Sequence, residues 1–564
     1  MKKTTILLAL IIFLAAGLRV FNLGNLPPSL NWDEISHGYN AYSILKTGSD
    51  EWGEFMPIAN FRAYGDYPLP LNLYLTIPFI AVMGLTEVAI RLPHALLGTL
   101  MVIAAYFFAI GLTKRKSIAL LTALFVAIDP WTLFTSRFVL QSNLSVFFLT
   151  ASAALFFNRD KNRWFVALAA MSLGLTVFAY HTTRIFSPLL LITSLVFYKT
   201  EIVKHLRKLN RLTFLTLVFV LVFFVPLVFI LGNKESRARS SEVFLIDQGA
   251  VAKIINLRQT TTLSALPAKL LYNRPTYLVV NSAKHYVDYF SPKFLFFKGG
   301  TQYQFSIPNF GLMYLAALPF FYAGLYFLIT KARSNKNYRL VLFWLLLAPI
   351  PAAITKEQFA VLRSSAMLPL PELIVALGLV SIYEKLLANR QKWSAAIMLG
   401  AFSILLMVNF VTYLVRYVTQ YPSEYSKDWQ YGYKQVTTYI QDSYNEYDKV
   451  IMTKFYGEPH EFILFYSSWD PQNYKSDPNL NRFYQSNWYW VDGFDKFYFV
   501  NDWQIPKTGM KFIQESKKEI DCAVSKCLLI TSPGNYPPNW TKLEEIDFLN
   551  GQPAFEILDS LNHK

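Results

Sequence analysis

Twelve long apolar runs, most of them without a charged residue, constrain what this chain can fold into. A helix that crosses the ~30 Å hydrocarbon core of a membrane needs about 20 mostly apolar residues. The runs are 4–20, 71–86, 94–112, 117–133, 138–157, 164–180, 185–198, 212–231, 311–330, 338–354, 366–384 and 393–416. Only 16% of the residues are charged, where a soluble domain carries about 25%. The sequence therefore predicts a polytopic α-helical membrane protein and excludes a soluble enzyme or a disordered chain.

Short basic clusters between the runs indicate the topology, because cytoplasmic loops are enriched in Lys and Arg. The clusters lie at 114–116, 159–163, 199–211, 331–339 and 385–392. All five clusters lie on the same side of the membrane as Lys2 and Lys3 only if one of the first three apolar runs does not cross the membrane. The run 71–86 reaches only about 24 Å and contains proline, so we expect it to be re-entrant or to lie on the outer surface. About eleven transmembrane helices then remain, with a cytoplasmic amino terminus. Twelve spans with a weak charge bias are the alternative.

The charge of the chain is divided between two parts. Residues 418–564 carry a net charge of −6, and the remainder carries +22. We predict a transmembrane domain over 1–417, with outer loops 21–92 and 232–310, and an extracytoplasmic α/β domain over 418–564. The basic residues sit in clusters between apolar runs, as topology signals do, so nucleic acid is not an expected partner.

The tail shows short apolar runs that predict a mixed domain. Strands are predicted at 449–455, 488–492, 496–501 and 527–531, and helices at 458–467 and 510–518. The two cysteines of the chain, Cys522 and Cys527, either form a disulfide outside the cell or remain free thiols. The many Tyr and Trp residues of the tail either stack on sugars, form its core or pack on the transmembrane domain.

Acidic residues gather in the first predicted outer loop. Asp33 and Glu34 follow the first span by about a dozen residues, and the same loop carries Asp50, Glu51, Glu54 and Asp66. A carboxylate at the mouth of a membrane-embedded cavity is placed to accept a proton from a hydroxyl nucleophile. The structural alternative is that Asp33 caps a helix over 34–46, with Glu34 in the first turn.

Several basic residues lie near the predicted outer ends of spans, although Lys and Arg are normally enriched on the cytoplasmic side. They are Arg62, Arg91, Arg137, Arg184, Arg237, Arg239, Arg258, Lys293, Lys298, Lys356 and Arg363. A phosphate-bearing lipid needs two or three of them, because the guanidinium fork binds phosphate with two hydrogen bonds. The alternative for each is simple anchoring to headgroups. Arg91 and Arg363 are the first choices, since each lies where an outer loop meets a span.

Two further outer segments are candidates for lining a cavity. His181 and Arg184 follow the run 164–180, although a lone histidine at a span end often has only a structural hydrogen bond. The segment 286–301 is too aromatic for a solvated loop, so we expect short interfacial helices that roof a cavity or form a structural lid. The chain has no P-loop, dinucleotide turn, H-E-x-x-H or G-x-S-x-G motif, which argues against an ATP-driven pump and the usual soluble hydrolases.

Five short motifs then occur in a recognisable order. They are W-D-E followed by Y-N-A-x-S-I-L-x-T-G (32–48), G-D-Y-x-x-P-L-x-L-Y-L (65–75), R-L-P (91–93), S-R-F-V-L-Q (136–141) and Y-F-S-P-K-F-L-F-F-K-G-G (289–300). This pattern resembles the membrane glycosyltransferases of the GT-C class, specifically the bacterial family 39 group, which is related to protein O-mannosyltransferases and lipid A aminoarabinose transferases. The resemblance covers about residues 1–420.

The resemblance implies an inverting glycosyltransferase that moves a sugar from a polyprenyl-phosphate donor to an acceptor hydroxyl on the outer face. It implies Asp33 as general base and Glu34 as its companion acid. The implied donor-phosphate ligands are Arg91, Arg363, Arg137 and Lys298, and the implied substrate-binding residues are Asp66, Tyr67, His181 and Arg184. Protein, lipid and glycan acceptors stay equally open.

Two departures from the family pattern bear on metal binding. Where relatives often have Lys-Pro-Pro, this chain has Pro68-Leu69-Pro70. Where relatives often have a second acid, Gln141 and Asn143 stand here. We therefore expect neither a metal nor another cofactor.

A polytopic transporter or a flippase for lipid-linked sugars is the alternative from another functional class, and a scaffold or receptor is a third. Transporters usually show paired repeats and interrupted helices near the midplane, and we find no two-half repeat in this sequence. The acids gather in an outer loop instead, which favours the enzyme.

Overall fold

The computed structural model describes residues 2–206, 211–230, 232, 243–486 and 488–560. Compactness divides the chain into two units, and each is described by itself. Unit 1 comprises Met1–Phe21 and His94–Leu414, and unit 2 comprises Asn22–Pro93 and Val415–Lys564. The predicted loop 21–92 thus shares a compact unit with the tail, whereas the sequence grouped it with the spans.

The α-helices follow one another through both units. In chain order they are α1 (Lys2–Val20), α2 (Trp32–Thr47), α3 (Leu71–Met83), α4 (Glu87–Thr113), α5 (Lys116–Ile128), α6 (Pro130–Thr135), α7 (Gln141–Phe157), α8 (Phe165–Leu175), α9 (Thr183–Phe197), α10 (Lys199–Leu206), α11 (Arg211–Ile230), α12 (Gln248–Thr260), α13 (Ala265–Leu271), α14 (Arg274–Asp288), α15 (Leu318–Ser334), α16 (Lys336–Leu347), α17 (Ile350–Ala353), α18 (Leu370–Ala388), α19 (Lys392–Val415), α20 (Tyr421–Tyr425), α21 (Tyr433–Asp442), α22 (Pro459–Tyr466) and α23 (Pro471–Ser476).

Each of the twelve predicted apolar runs contains helix. Among the described residues, six helices are long and apolar enough to cross a membrane, and five shorter apolar helices accompany them. The predicted polytopic helical fold is therefore confirmed. The run 71–86 is the 13-residue helix α3, with Pro78 inside it. Its placement on the outer surface stays a prediction, as do the number of spans and the side of each terminus. The candidates Arg237 and Arg239 lie outside the described residues.

Glycine allows the closest helix packing of unit 1, between α15 and α18. A Cβ atom at Gly324 would overlap the carbonyl oxygen of Ile374, and one at Gly378 would overlap that of Phe320. The two backbones therefore touch, as small residues permit in membrane helix pairs. Any larger side chain at either position would force the helices apart.

The tail forms a seven-stranded sheet within unit 2. Its strands are β1 (Lys449–Thr453), β2 (Asn481–Gln485), β3 (Trp488–Phe494), β4 (Phe497–Val500), β7 (Cys527–Thr531), β8 (Thr541–Asp547) and β9 (Pro553–Asp559), and β5 (Lys511–Ile513) pairs with β6 (Glu519–Asp521) in a separate hairpin. The strand order is β2-β3-β4-β1-β7-β9-β8. Strand β1 runs parallel to β4 and β7, and the other neighbours are antiparallel. The predicted α/β fold of the tail is confirmed.

The predicted helix at 510–518 is wrong, because that segment begins the β5–β6 hairpin. Phe512 and Ile520 pair across the hairpin and are buried between exposed neighbours, which is the period of a strand. Both belong to a core cluster with Trp540 and the two cysteines. Cys522 and Cys527 form a disulfide with their Cα atoms 5.7 Å apart, which settles the alternative that the spacing left open.

Candidate active site

The site begins where helix α2 begins, in unit 2. Asn31 is the N-cap, and its side chain accepts a hydrogen bond from the backbone N–H of Glu34 at 2.9 Å. A second hydrogen bond joins the same two residues, because the Glu34 carboxylate accepts from the backbone N–H of Asn31 at 3.4 Å. This reciprocal capping box fixes the first turn. The helix thus starts earlier than predicted, and Asp33 lies inside the first turn and is not the cap.

A buried ion pair locks this turn to Arg91. The guanidinium donates from Nε to Glu34 Oε1 at 2.9 Å and from Nη2 to Glu34 Oε2 at 2.7 Å, and both side chains are fully buried. Its remaining hydrogens go to the carbonyl oxygens of Leu23, Pro27 and Ser29. A guanidinium has five N–H donors, so the side chain is saturated.

This geometry bears on two predicted roles. Arg91 is buried, and its donors bind Glu34 and three carbonyl oxygens, so it joins segment 23–29 to helix α2. Glu34 is equally buried and binds Arg91 through both oxygens. A phosphate-binding role for Arg91 and a role as companion acid for Glu34 stay predictions. Sequence reasoning recognised both residues but could not see that they face each other.

Asp33 differs from its neighbour, because its side chain is exposed. The backbone on its amino-terminal side is fixed from two directions. The N–H of Trp32 donates to Gln430 Oε1 at 2.7 Å, and the Tyr64 hydroxyl donates to the Trp32 carbonyl. The Asp33 carboxylate therefore extends from a turn whose main chain is held on both sides.

Aromatic rings pack around this turn. Tyr64 stacks on Trp488, with ring centroids 5.6 Å apart and planes inclined by 9°. Gly457 has a φ of +120°, and a Cβ there would lie 2.4 Å from the indole of Trp32. Only glycine suits that position, both for its backbone and for the space left by the ring.

Sequence reasoning missed a buried polar cluster in the same unit. Glu51 from the first loop joins Glu458, His460, Glu461 and Arg482 of the tail. Trp488 Nε1 donates to Glu458 Oε1 at 2.6 Å, and Arg482 Nη2 donates to the Glu51 carbonyl at 3.0 Å. No motif could reveal this cluster, because Glu51 is more than 400 positions from the other members in the sequence.

Burial sets the protonation of this cluster. It raises the pKa of Glu51 and that of Glu458 to about 7, and it raises the pKa of Glu461 well above its ordinary value. Burial also lowers the pKa of His460 well below its ordinary value. Near pH 7 the Glu461 carboxyl and the His460 imidazole are therefore neutral, and Glu51 and Glu458 are about half protonated, because a buried charge is costly.

Asp66 and Tyr67, predicted to bind substrate, lie in a tight turn of unit 2. Asp66 Oδ1 accepts from the N–H of Tyr67 at 2.7 Å, and backbone bonds between Ala63 and Asp66 close the turn. The Tyr67 hydroxyl lies 3.2 Å from that of Tyr489. Both side chains are partly exposed, and a substrate-binding role stays a prediction.

The other predicted phosphate ligands belong to unit 1. Arg137 is buried and donates to the carbonyls of Leu18 and Phe21, at the end of α1, which disagrees with a phosphate-binding role. Arg363 is partly exposed and its Nη1 donates to Glu357 Oε2 at 2.6 Å. Lys298 is exposed. The last two remain available for an anionic ligand.

The remaining predicted site residues of unit 1 are Arg184, His181 and those of the aromatic segment 286–301. Arg184 is buried, and its Nε donates to the Val177 carbonyl at 3.1 Å. His181 is partly buried. The aromatic segment predicted as a roof contains the π-helical turn Lys293–Lys298, which buries Phe294 against Phe359 at 5.6 Å between ring centroids. This turn contributes to the core of unit 1, which the prediction of surface-lying helices did not anticipate.

Solved structures share this fold. ArnT from Cupriavidus metallidurans in the apo state gives a TM-score of 0.51 at 11% identity, covering 99% of this chain and 97% of that protein. Its complex with undecaprenyl phosphate gives 0.50 at 12% identity, over 99% and 98%. The archaeal oligosaccharyltransferase AglB from Archaeoglobus fulgidus, in complex with an inhibitory peptide and a dolichol-phosphate, gives 0.50 at 13% identity, over 82% of this chain. The chain spans 63% of the length of AglB.

The chain therefore shares its fold, over nearly its whole length, with solved membrane glycosyltransferases of the GT-C class, and its apolar helices are those of a multi-pass membrane protein. Within that class, residues 9–236 match the family model of the dolichyl-phosphate-mannose-protein mannosyltransferases. Among curated proteins, none matches the chain.

Proposed function

We propose that this chain is an inverting glycosyltransferase that transfers a sugar from a polyprenyl-phosphate donor to an acceptor hydroxyl on the outer face of the membrane, with Asp33 as general base. The observation that carries this proposal is the contrast within one helical turn. Glu34 is buried and saturated by Arg91, while Asp33 beside it is exposed on a main chain that is held in place.

The chemistry needs one displacement. The acceptor oxygen attacks the anomeric carbon, Asp33 takes the hydroxyl proton, and the polyprenyl phosphate leaves with the electron pair of the broken C–O bond. A single attack opposite the leaving group inverts the anomeric centre. The complexes of ArnT with undecaprenyl phosphate and of AglB with a dolichol-phosphate support a donor of this class.

The first turn of α2 suits a carboxylate base. The positive end of a helix dipole favours the ionised form of an acid in the first turn, and the ionised form is the one that accepts a proton. The Glu34–Arg91 pair acts as a positioning device, because it fixes the turn from which Asp33 extends. Arg363 and Lys298 are the proposed ligands of the donor phosphate, since both side chains reach solvent.

The test is transfer by the purified, reconstituted protein from labelled polyprenyl-phosphate sugars to candidate acceptors, with product analysis by mass spectrometry and NMR. We expect Asp33→Asn to lower kcat by about 10²- to 10⁴-fold, the usual contribution of general base catalysis. The matched control is Glu54→Gln, an exposed acid of the same loop, which should retain wild-type turnover.

Three results would contradict the proposal. Undiminished transfer by Asp33→Asn would exclude the general base. Retention of the anomeric configuration would exclude a single displacement. Movement of labelled donor between leaflets without sugar transfer would favour the flippase.

An Arg363→Gln variant should raise the KM for the donor more than it lowers kcat, because binding to the phosphate precedes the chemical step.

A further inference from the structure

The segment Gln248–Asp288 of unit 1, here called the arm, contains three consecutive helices, α12 to α14. Each of them exposes apolar side chains. Leu266 is 71% exposed, Leu270 65% and Val287 66%. Leu266 and Leu270 lie four residues apart on one face of α13, and Val280 and Val287 share a face of α14. Apolar surface on this scale marks an interaction site in a folded protein.

On α12 and α13 these side chains are not a displaced part of the core, because each of these two helices has another, inward face that is buried. Ala250 and Ile254 are buried on α12, and Ala268 is buried on α13. The outward apolar face is therefore a second face of the same helices.

The charge of the arm is strongly positive. It contains five basic residues and a single acidic one, Asp288. Asp288 accepts a hydrogen bond from Gln358 Nε2 at 2.6 Å. Lys253, Lys269 and Lys284 are exposed. A surface that combines exposed apolar and cationic side chains is complementary to anionic lipid and poorly suited to water alone.

The arm is fixed to unit 1 at both ends. At its start, Asp247 caps α12 through the N–H of Ala250 at 2.7 Å and forms an ion pair with Lys356 at 3.0 Å. At its end, the His285 ring lies 3.2 Å from the Thr355 carbonyl, and the Tyr286 hydroxyl donates to the Leu346 carbonyl at 2.8 Å. The outward face is therefore presented by helices that the rest of unit 1 holds in place.

We propose that the arm lies in the headgroup layer of the membrane, with its leucines and valines in the acyl boundary and its lysines on the anionic headgroups of bulk phospholipid. It thereby docks the predicted outer loop onto the bilayer surface. This inference is independent of the proposed transfer reaction, because it concerns the bilayer and not the donor or the acceptor.

The disulfide between the two native cysteines permits a clean test, because an engineered cysteine is then the single free thiol. An environment-sensitive fluorophore is attached to Leu270→Cys or, as matched control, to Ser264→Cys at the N-cap of the same helix. The full-length protein is reconstituted in liposomes with about one third phosphatidylglycerol. A doxyl-labelled phospholipid should quench the label at 270 at least two-fold more than the label at 264, and aqueous iodide should show the reverse order.

The role of charge is tested separately. Lys253→Gln/Lys269→Gln/Lys284→Gln should halve the lipid quenching at 270 in anionic liposomes and leave it unchanged in phosphatidylcholine. The matched control replaces three exposed lysines of the tail, Lys507, Lys517 and Lys518, by glutamine and should have no effect. Equal quenching at 264 and 270, equal effects of the two triple variants, or an anionic dependence that requires added polyprenyl phosphate would each overturn the proposal.

Discussion

Arg91→Met is the substitution that most directly tests how the candidate active site is built. It removes a guanidinium that holds Glu34 with two hydrogen bonds and three main-chain carbonyls with its other hydrogens. Because Glu34 is fully buried, its charge would be left unpaired in a nonpolar environment. Breaking a buried pair from one side typically costs about 3–5 kcal/mol.

The size of the expected shift follows from the size of the unit. For a domain of roughly 150–250 residues, each kcal/mol moves Tm by about 2–4 °C, so the variant should unfold on the order of 10 °C below wild type. Tryptophan fluorescence of the purified protein during heating in detergent measures this shift. Arg91→Lys should fall in between, because an ammonium group has three donors where the guanidinium has five.

The double variant Glu34→Gln/Arg91→Met separates the ion pair from the carbonyl contacts. It removes the stranded charge but still leaves the carbonyls of Leu23, Pro27 and Ser29 without their donor, so it should recover part of the loss, about 2 kcal/mol. A different pattern would refute the reasoning. If Arg91→Met unfolds at the wild-type temperature while the donor KM rises many-fold, Arg91 is the phosphate ligand that the sequence predicted.

Three further predictions concern packing, protonation and the disulfide. Gly378→Val should destabilise unit 1 by about 1–3 kcal/mol through overpacking against Phe320, whereas Gly400→Val should be near neutral by the same melting assay, because nothing lies within 4 Å of a Cβ there. Burial raises the pKa of Glu458 to about 7, so the folded protein keeps a proton that the unfolded chain loses above its ordinary pKa. The contribution of Glu458 to stability should fall as pH rises from about 4.5 to 7 by about 3 kcal/mol and level off above that range. Glu458→Gln should remove this share and leave the shares of Glu51 and Glu461; a variant whose stability depends on pH as steeply as that of wild type would contradict the assignment. Reduction of the Cys522–Cys527 bond should cost about 2 kcal/mol, as expected for so short a loop, and an unchanged urea midpoint after reduction would argue that the bond adds nothing.

The predictions that succeeded rest on local chemistry. An apolar run of membrane length forms a helix regardless of what surrounds it, and β1, β4 and β7 were found from short apolar runs alone. The hairpin β5–β6 was missed, because alternation over only three residues per strand is too short a signal to distinguish it from a helical turn. Strands β2, β8 and β9 were not predicted either, so short apolar runs identified only part of the sheet.

The sequence indicated individual residues of the candidate site but not the contacts between them. The acidic pair was recognisable in the sequence, but Glu34 and Arg91 are 57 residues apart, and Trp32 and Gln430 are 398 apart. Which charges meet across such distances depends on tertiary packing, so a buried structural arginine and an exposed ligand-binding one look alike in sequence. Arg91 and Arg137 are both buried, and their spacing in the sequence could not predict this burial.

The two adjacent acids have opposite environments for a geometric reason. Consecutive residues of an α-helix point about 100° apart, so a turn that directs Glu34 toward buried Arg91 necessarily directs Asp33 toward another side. The two carboxylates then have different environments: the buried one neutralises a buried cation and fixes the turn, and the exposed one lies on another side of the helix. Exchanging the order of the two residues would place the longer side chain outward and leave Arg91 facing a carboxylate that is one methylene too short. Asp33→Glu/Glu34→Asp should therefore lose both stability and transfer, although the charge and composition of the loop are unchanged.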